Sequence, residues 1–184
     1  MEILSISELN TAQIIEMLVG GSLLIFSAYI SFPLTNWLVQ KSFNNWYKYA
    51  ESEWTKAFFH ANLTRKVALI APSLIIQIAV GLVPYLNKDV TSIIKNIAVS
   101  VTIFYLLRVL LALLDIFENL QVQNSVKEKR PKAIKSYVQL SKILLIILGT
   151  IVIISTLIDR SPLIFLSGIG AMSAVLLIVF KDTL

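Results

Sequence analysis

Residues Ser161 to Leu184 read SPLIFLSGIGAMSAVLLIVFKDTL, and they decide the class of the molecule. Pro162 follows the charged pair Asp159-Arg160 by one serine. Proline suits a helix's first turn, because the N–H it lacks would be unbonded there anyway. From Leu163 to Phe180 come eighteen residues without a charge, closed by Lys181-Asp182. At about 1.5 Å per residue, a helix of that length covers about 27 Å, close to the hydrocarbon core of a bilayer. Ser167, Gly168, Gly170, Ala171, Ser173 and Ala174 gather in one part of the run, and Leu176 to Phe180 is purely bulky. Gly170 and Ala174 are four apart, as are Ser167 and Ala171, so each pair shares a helix face. In lipid, small residues at that spacing let helix backbones approach closely. Two arrangements use such a face: packing against another helix of the same chain, or a ring of identical helices around a pore.

The rest of the chain agrees on the class. Hydrophobic residues fill 57% of 184 positions, and mean hydropathy is +0.79; soluble domains are roughly half apolar. Apolar runs this long point to a polytopic helical membrane protein, all-α, and not to a globular core. There is no cysteine, hence no disulfide, thiol nucleophile or thiolate metal site. The one histidine, His60, has no Cys, Asp or Glu at metal-ligand spacing. Phosphate loops, zinc motifs and catalytic triads have no counterpart, so the expectation is a non-enzyme with no cofactor, no metal and no nucleic-acid partner.

Residues 1–11 are polar and acidic, with Glu2 and Glu8 and no basic residue, and they lack the basic n-region and cleavage site of a signal peptide. A first span is expected from about Ala12 to Val39, with Glu16 near its outer end and Pro33 allowing a bend. Then Phe43, Trp46, Tyr47, Ala50, Trp54, Ala57, Phe58 and Ala61 recur at helical spacing opposite Lys48, Glu51, Lys56 and Asn62. That pattern predicts an interfacial amphipathic helix over 43–61, with Trp46 and Trp54 at headgroup depth; the alternative is a soluble-type helical hairpin packed on the other spans. The second span runs from Val67 to about Leu86, with Pro72, Pro84 and a polar Gln77; the third covers about Ile93–Phe117. Arg108 and Asp115 lie two turns apart on one face of the third span. They either meet through a third group or reach toward the same interface, where Arg108 snorkels. The connector 118–136 carries Lys127, Lys129, Arg130 and Lys132, a topology signal and a contact for anionic headgroups. The fourth span, Tyr137–Leu157, turns tightly through Ile158–Pro162 into the final helix, which makes the last two spans an antiparallel hairpin.

Basic residues sort the connectors by side. The stretch 41–66 holds Lys41, Lys48, Lys56, Arg65 and Lys66, and 118–136 holds Lys127, Lys129, Arg130, Lys132 and Lys135. Opposite them stand only Lys88, Lys95 and Arg160. The positive-inside rule therefore puts both long connectors in the cytoplasm; five spans leave the N-terminus outside and the C-terminus inside.

The run RSPLIFLSGIGAMSAVLLIVFKDTL resembles the pore-lining helix of MscS-type mechanosensitive channels, and within them the miniconductance (YbdG-like) branch, whose similar helix ends in a Phe-Lys-Asp turn. The five-span count, the external N-terminus and the Leu113–Asp115 step fit that branch; the likeness is strong over about 140–184 and loose before it. It implies a homo-heptamer in a bacterial inner membrane, with residues 12–117 as a peripheral sensor region and 137–184 as a pore hairpin. Carried onto this chain, Gly168, Gly170, Ser173, Ala174 and Leu177 become pore-lining or packing positions. Ala174 and Ile178 match the hydrophobic gate, with Ala174 smaller than the usual leucine, and Lys181-Asp182 matches the kink. Family members continue into an amphipathic half-helix, a β-domain and an α/β vestibule, whereas this sequence stops at Leu184, so a fragment is expected.

The implied function is a channel subunit opened by membrane tension in hypo-osmotic shock. Its partners would be the bilayer and permeating ions. A narrow apolar ring blocks ions by dewetting, and tension favours the state of larger in-plane area. Without a ring of Asp or Glu on the final span, strong cation selectivity is not expected. The competing class is a small polytopic transporter or assembly subunit without channel activity. Against a transporter stand charges crowded at the span ends and the lack of an internal repeat.

Overall fold

The computed structural model describes residues 10–47, 63–128 and 133–181, and every regular element among them is helical. In chain order these are α1 (Thr11–Tyr47), α2 (Leu63–Ala68), α3 (Ile70–Ala79), a single 3₁₀ turn (Val80–Leu82), α4 (Lys88–Glu128), α5 (Ala133–Leu157) and α6 (Pro162–Lys181). Among the described residues, five stretches are long and apolar enough to cross a bilayer: Thr11–Ser42, Leu63–Leu82, Lys88–Gln121, Lys135–Leu157 and Pro162–Lys181. The protein is therefore a multi-pass helical membrane protein.

Local chemistry explains where the helices break. Pro72 has no N–H for the carbonyl of Ala68, and its ring crowds that carbonyl; α2 accordingly ends at Ala68 and α3 starts again at Ile70. The Leu69 N–H still reaches the Arg65 carbonyl at 3.2 Å, so the second span bends without separating. Val83 is extended, as a residue before proline prefers, and Tyr85 adopts φ 58° in the turn beyond Pro84. Asn87 then caps α4, its Oδ1 accepting the Asp89 N–H at 3.0 Å. The other turn is as tight. After Leu157, Asp159 takes φ 56° and the Arg160 N–H bonds back to the Ser155 carbonyl at 2.9 Å, the 6→1 closure of a Schellman motif. Pro162 opens α6 directly afterwards.

Two expectations shift in extent. The third helix does not stop near Phe117; α4 runs on to Glu128, so most of the connector 118–136 is helix. No Gly or Pro interrupts the sequence between Pro84 and Pro131, and polar residues sustain a helix in water as well as apolar ones do in lipid. Likewise α1 continues through Phe43–Tyr47, the first residues of the expected interfacial helix; residues 48–61 lie outside the described residues.

Each span packs chiefly on its neighbours in the chain: α1 on α2 and α3, these on α4, and α4 on α5. The buried positions are mostly small, including Ala28, Ser31, Ala68, Ser73, Ala98, Ala112 and Ser155. That is how helices approach one another when the solvent is itself apolar. Gly149 lets α5 come so close to α4 that a Cβ there would stand 2.7 Å from Leu107 Cδ2. Gly20 does the same for α1, where a Cβ would lie 3.1 Å from Pro84 Cδ.

Candidate functional site

α6 stands apart from this packing. Its twenty residues include no buried one, although it is among the most apolar of the spans. Its contacts within the described chain are chiefly to α5, from which the short turn delivers it. A Cβ added at Gly168 or at Gly170 meets nothing within 4 Å, in contrast to Gly149 and Gly20. Intrachain packing therefore does not account for these two glycines. Ser173, Ala174, Leu177 and Ile178 are likewise exposed, Leu177 by 74% and Ile178 by 67%. Ser167 and Ser173 spend their hydroxyl protons on the helix itself, bonding the carbonyls of Ile164 at 2.9 Å and Ile169 at 2.8 Å. Both serines thus present a small, internally satisfied surface. Lys181 ends the helix, exposed, and Asp182 lies outside the described residues.

The other positions singled out in the sequence fare unevenly. Trp46 and Lys127 fall inside α1 and α4, while Trp54, Lys129, Arg130 and Lys132 lie outside the described residues. An interfacial aromatic that the sequence reading passed over is Trp37, whose ring lies 4.6 Å from Lys41 Nζ, a cation–π pair near the end of the first span.

Two further clusters fix the helices that carry α6. Lys142 on α5 reaches Asp115 Oδ1 and Glu118 Oε2 on α4, each at 2.6 Å. With Leu107 against Gly149 further along, partners on α5 run backward as α4 runs forward, so this pair is antiparallel. Asp115 is thus engaged by Lys142. Arg108 does not turn toward the Asp115 end, as snorkelling required; its guanidinium carbon sits 5.9 Å from the ring centre of Phe104, one turn the other way. The second cluster lies between α3 and α4. Gln77 Nε2 donates to Thr102 Oγ1 at 2.5 Å and to the Ala98 carbonyl at 3.3 Å; the Thr102 hydroxyl donates to Ser73 Oγ at 2.8 Å, and Ser73 to the Ile70 carbonyl at 2.8 Å. Gln77 stood out in the sequence as polar, but nothing there indicated Ser73 and Thr102 as its partners.

No protein-family model matches the chain, and no solved structure matches it. Among the described residues no group of three His, Cys, Asp or Glu is placed to hold a metal ion.

Proposed function

We propose that the chain is a subunit of a tension-gated ion channel of the MscS type, in which α6 helices from several copies, seven by family resemblance, ring an ion pathway. The observation that carries this reading is the unpacked surface of α6: a span with no buried residue and open space at both Gly168 and Gly170, which lie on opposite sides of the helix, Gly170 sharing its side with Ala174. Apolar side chains gain nothing by leaving lipid, so a small-residue face on a span finds its use in close backbone contact with another helix. In this reading α5 and α6 form the antiparallel pore hairpin and α1 to α4 the lipid-facing sensor. Ala174 and Ile178 form the constriction, and Lys181-Asp182 the kink. The two basic connectors face the cytoplasm and the N-terminus the exterior of a bacterial inner membrane, as their lysines and arginines favour.

A transporter is the second reading, and one observation favours it. The second span is interrupted at Leu69, one turn from a polar cluster within the membrane, and broken helices beside polar groups are where transporters bind. The cluster, however, spends its donors internally and includes no ionisable residue.

The test of the first reading is patch-clamp recording under suction on bilayers containing the chain, together with disulfide trapping of Gly170→Cys and Ala174→Cys. Cross-linked ladders with tension-dependent currents are expected. A chain that stays monomeric in lipid and never cross-links at either position overturns it, and solute uptake without channel currents would move the assignment to a transporter.

A further inference from the structure

Between Lys95 and Asp115, α4 has a single charged residue, Arg108. The stretch 96–114 covers about 28 Å of helix, the thickness of a hydrocarbon core. Arg108 lies seven residues, or about 10 Å, from the Asp115 end, and so inside the membrane. The buried stripe of α4, Ala98, Ala112, Ile116 and Leu120, lies on other positions; Arg108 is exposed. Its guanidinium rests against Phe104 and forms no ion pair among the described residues.

An arginine in a bilayer requires an anionic or strongly polar partner. Among the described residues, a second copy of this chain offers no free carboxylate at that depth. Asp115 and Glu118 are both bound to Lys142. Asp89, in the first turn of α4, and Asp159, in the turn after α5, lie at the opposite end of the spans. Glu16 stands one turn beyond Gly20, which itself touches the Val83-Pro84 turn at that same far end. Glu128 lies much further along α4, past Asp115. What every leaflet supplies is phosphate oxygen, and the planar fork of arginine matches it. We propose that Arg108 is a binding position for the phosphate of a phospholipid in the leaflet on the Asp115 side. The headgroup is drawn inward as the bilayer thins locally and the side chain swings off Phe104. This inference needs only that α4 spans the membrane; it does not depend on the channel reading.

The test is native mass spectrometry of the full chain released from bilayers of phosphatidylglycerol, of phosphatidylcholine, or of a phosphate-free galactolipid. The unaltered chain should retain lipid from the two phospholipids and not the galactolipid, and Arg108→Gln should weaken that retention about fivefold. Equal retention by the two chains, or equal retention of the galactolipid, overturns the proposal. Should Arg108→Gln fail to fold, a chain with Arg65→Lys, Arg130→Lys and Arg160→Lys leaves Arg108 as the one arginine. In phosphate-free buffer its guanidinium ¹³C signal should then be dephased by lipid ³¹P. Absence of dephasing overturns the proposal equally.

Discussion

Lys142 answers to two carboxylates at once, and its side chain is 23% exposed while Glu118 is 19% and Asp115 57% exposed. Removing the lysine leaves two adjacent carboxylates facing each other without a cation. Lys142→Met should lower the stability of the α4–α5 pair by about 1–2 kcal/mol, measured by denaturant titration in detergent micelles. Glu118→Gln should cost more than Asp115→Asn, because Asp115 is the more exposed of the two; the reverse order would mean that geometry, not burial, sets the strength. Ser100 gives the opposite sign. Its Oγ is buried and has no hydrogen-bond partner, so Ser100→Ala should be neutral or stabilise by up to about 1 kcal/mol in the same titration. Neither site was legible in the sequence. Spacing along one helix relates Arg108 to Asp115, but the partner of Asp115 lies across an interface whose register is set by where Leu107 meets Gly149. Periodicity carries no information about register.

The number and order of the spans, in contrast, were readable, because long runs this apolar have one stable habitat. The ends were less so: the charges from Asp115 onward mark where the apolar run of α4 stops and are silent on whether the helix then continues. Gly149 and Gly170 differ in a way that sequence alone does not show, since both sit in apolar helices next to small or polar residues. Valine at each should separate them. Gly149→Val drives a side chain into Leu107 and should loosen α4 from α5 in the isolated chain, lowering stability by about 1–3 kcal/mol. Gly170→Val meets open space and should leave the isolated chain's stability within about 0.5 kcal/mol. If association between copies uses that face, the same variant should reduce the oligomer seen by cross-linking. A Gly170→Val chain as destabilised as Gly149→Val would show that α6 packs on its own bundle.

At the scale of the molecule, α1 to α5 hold one another through small-residue contacts, the Lys142 clasp and the Gln77 cluster, and α6 hangs from them by a four-residue turn. In the proposed assembly neighbouring copies would cover the exposed surface of α6, and an aqueous pathway would wet one side of it alone. The chain has no cysteine, so single cysteines can be placed from Leu166 to Lys181 on a clean background. With a water-soluble, charged thiol reagent, labelling should recur every three to four residues, strongest at positions in line with Gly170, Ala174, Leu177 and Ile178 and weakest at Ile169, Met172 and Val179. A helix bathed entirely in lipid gives no labelling along its central turns, and one lying at the surface gives labelling without a period. Either pattern would remove α6 from the wall of a pore, while an unbroken helical period under tension, fainter without it, ties the wetting of that face to the stretched state.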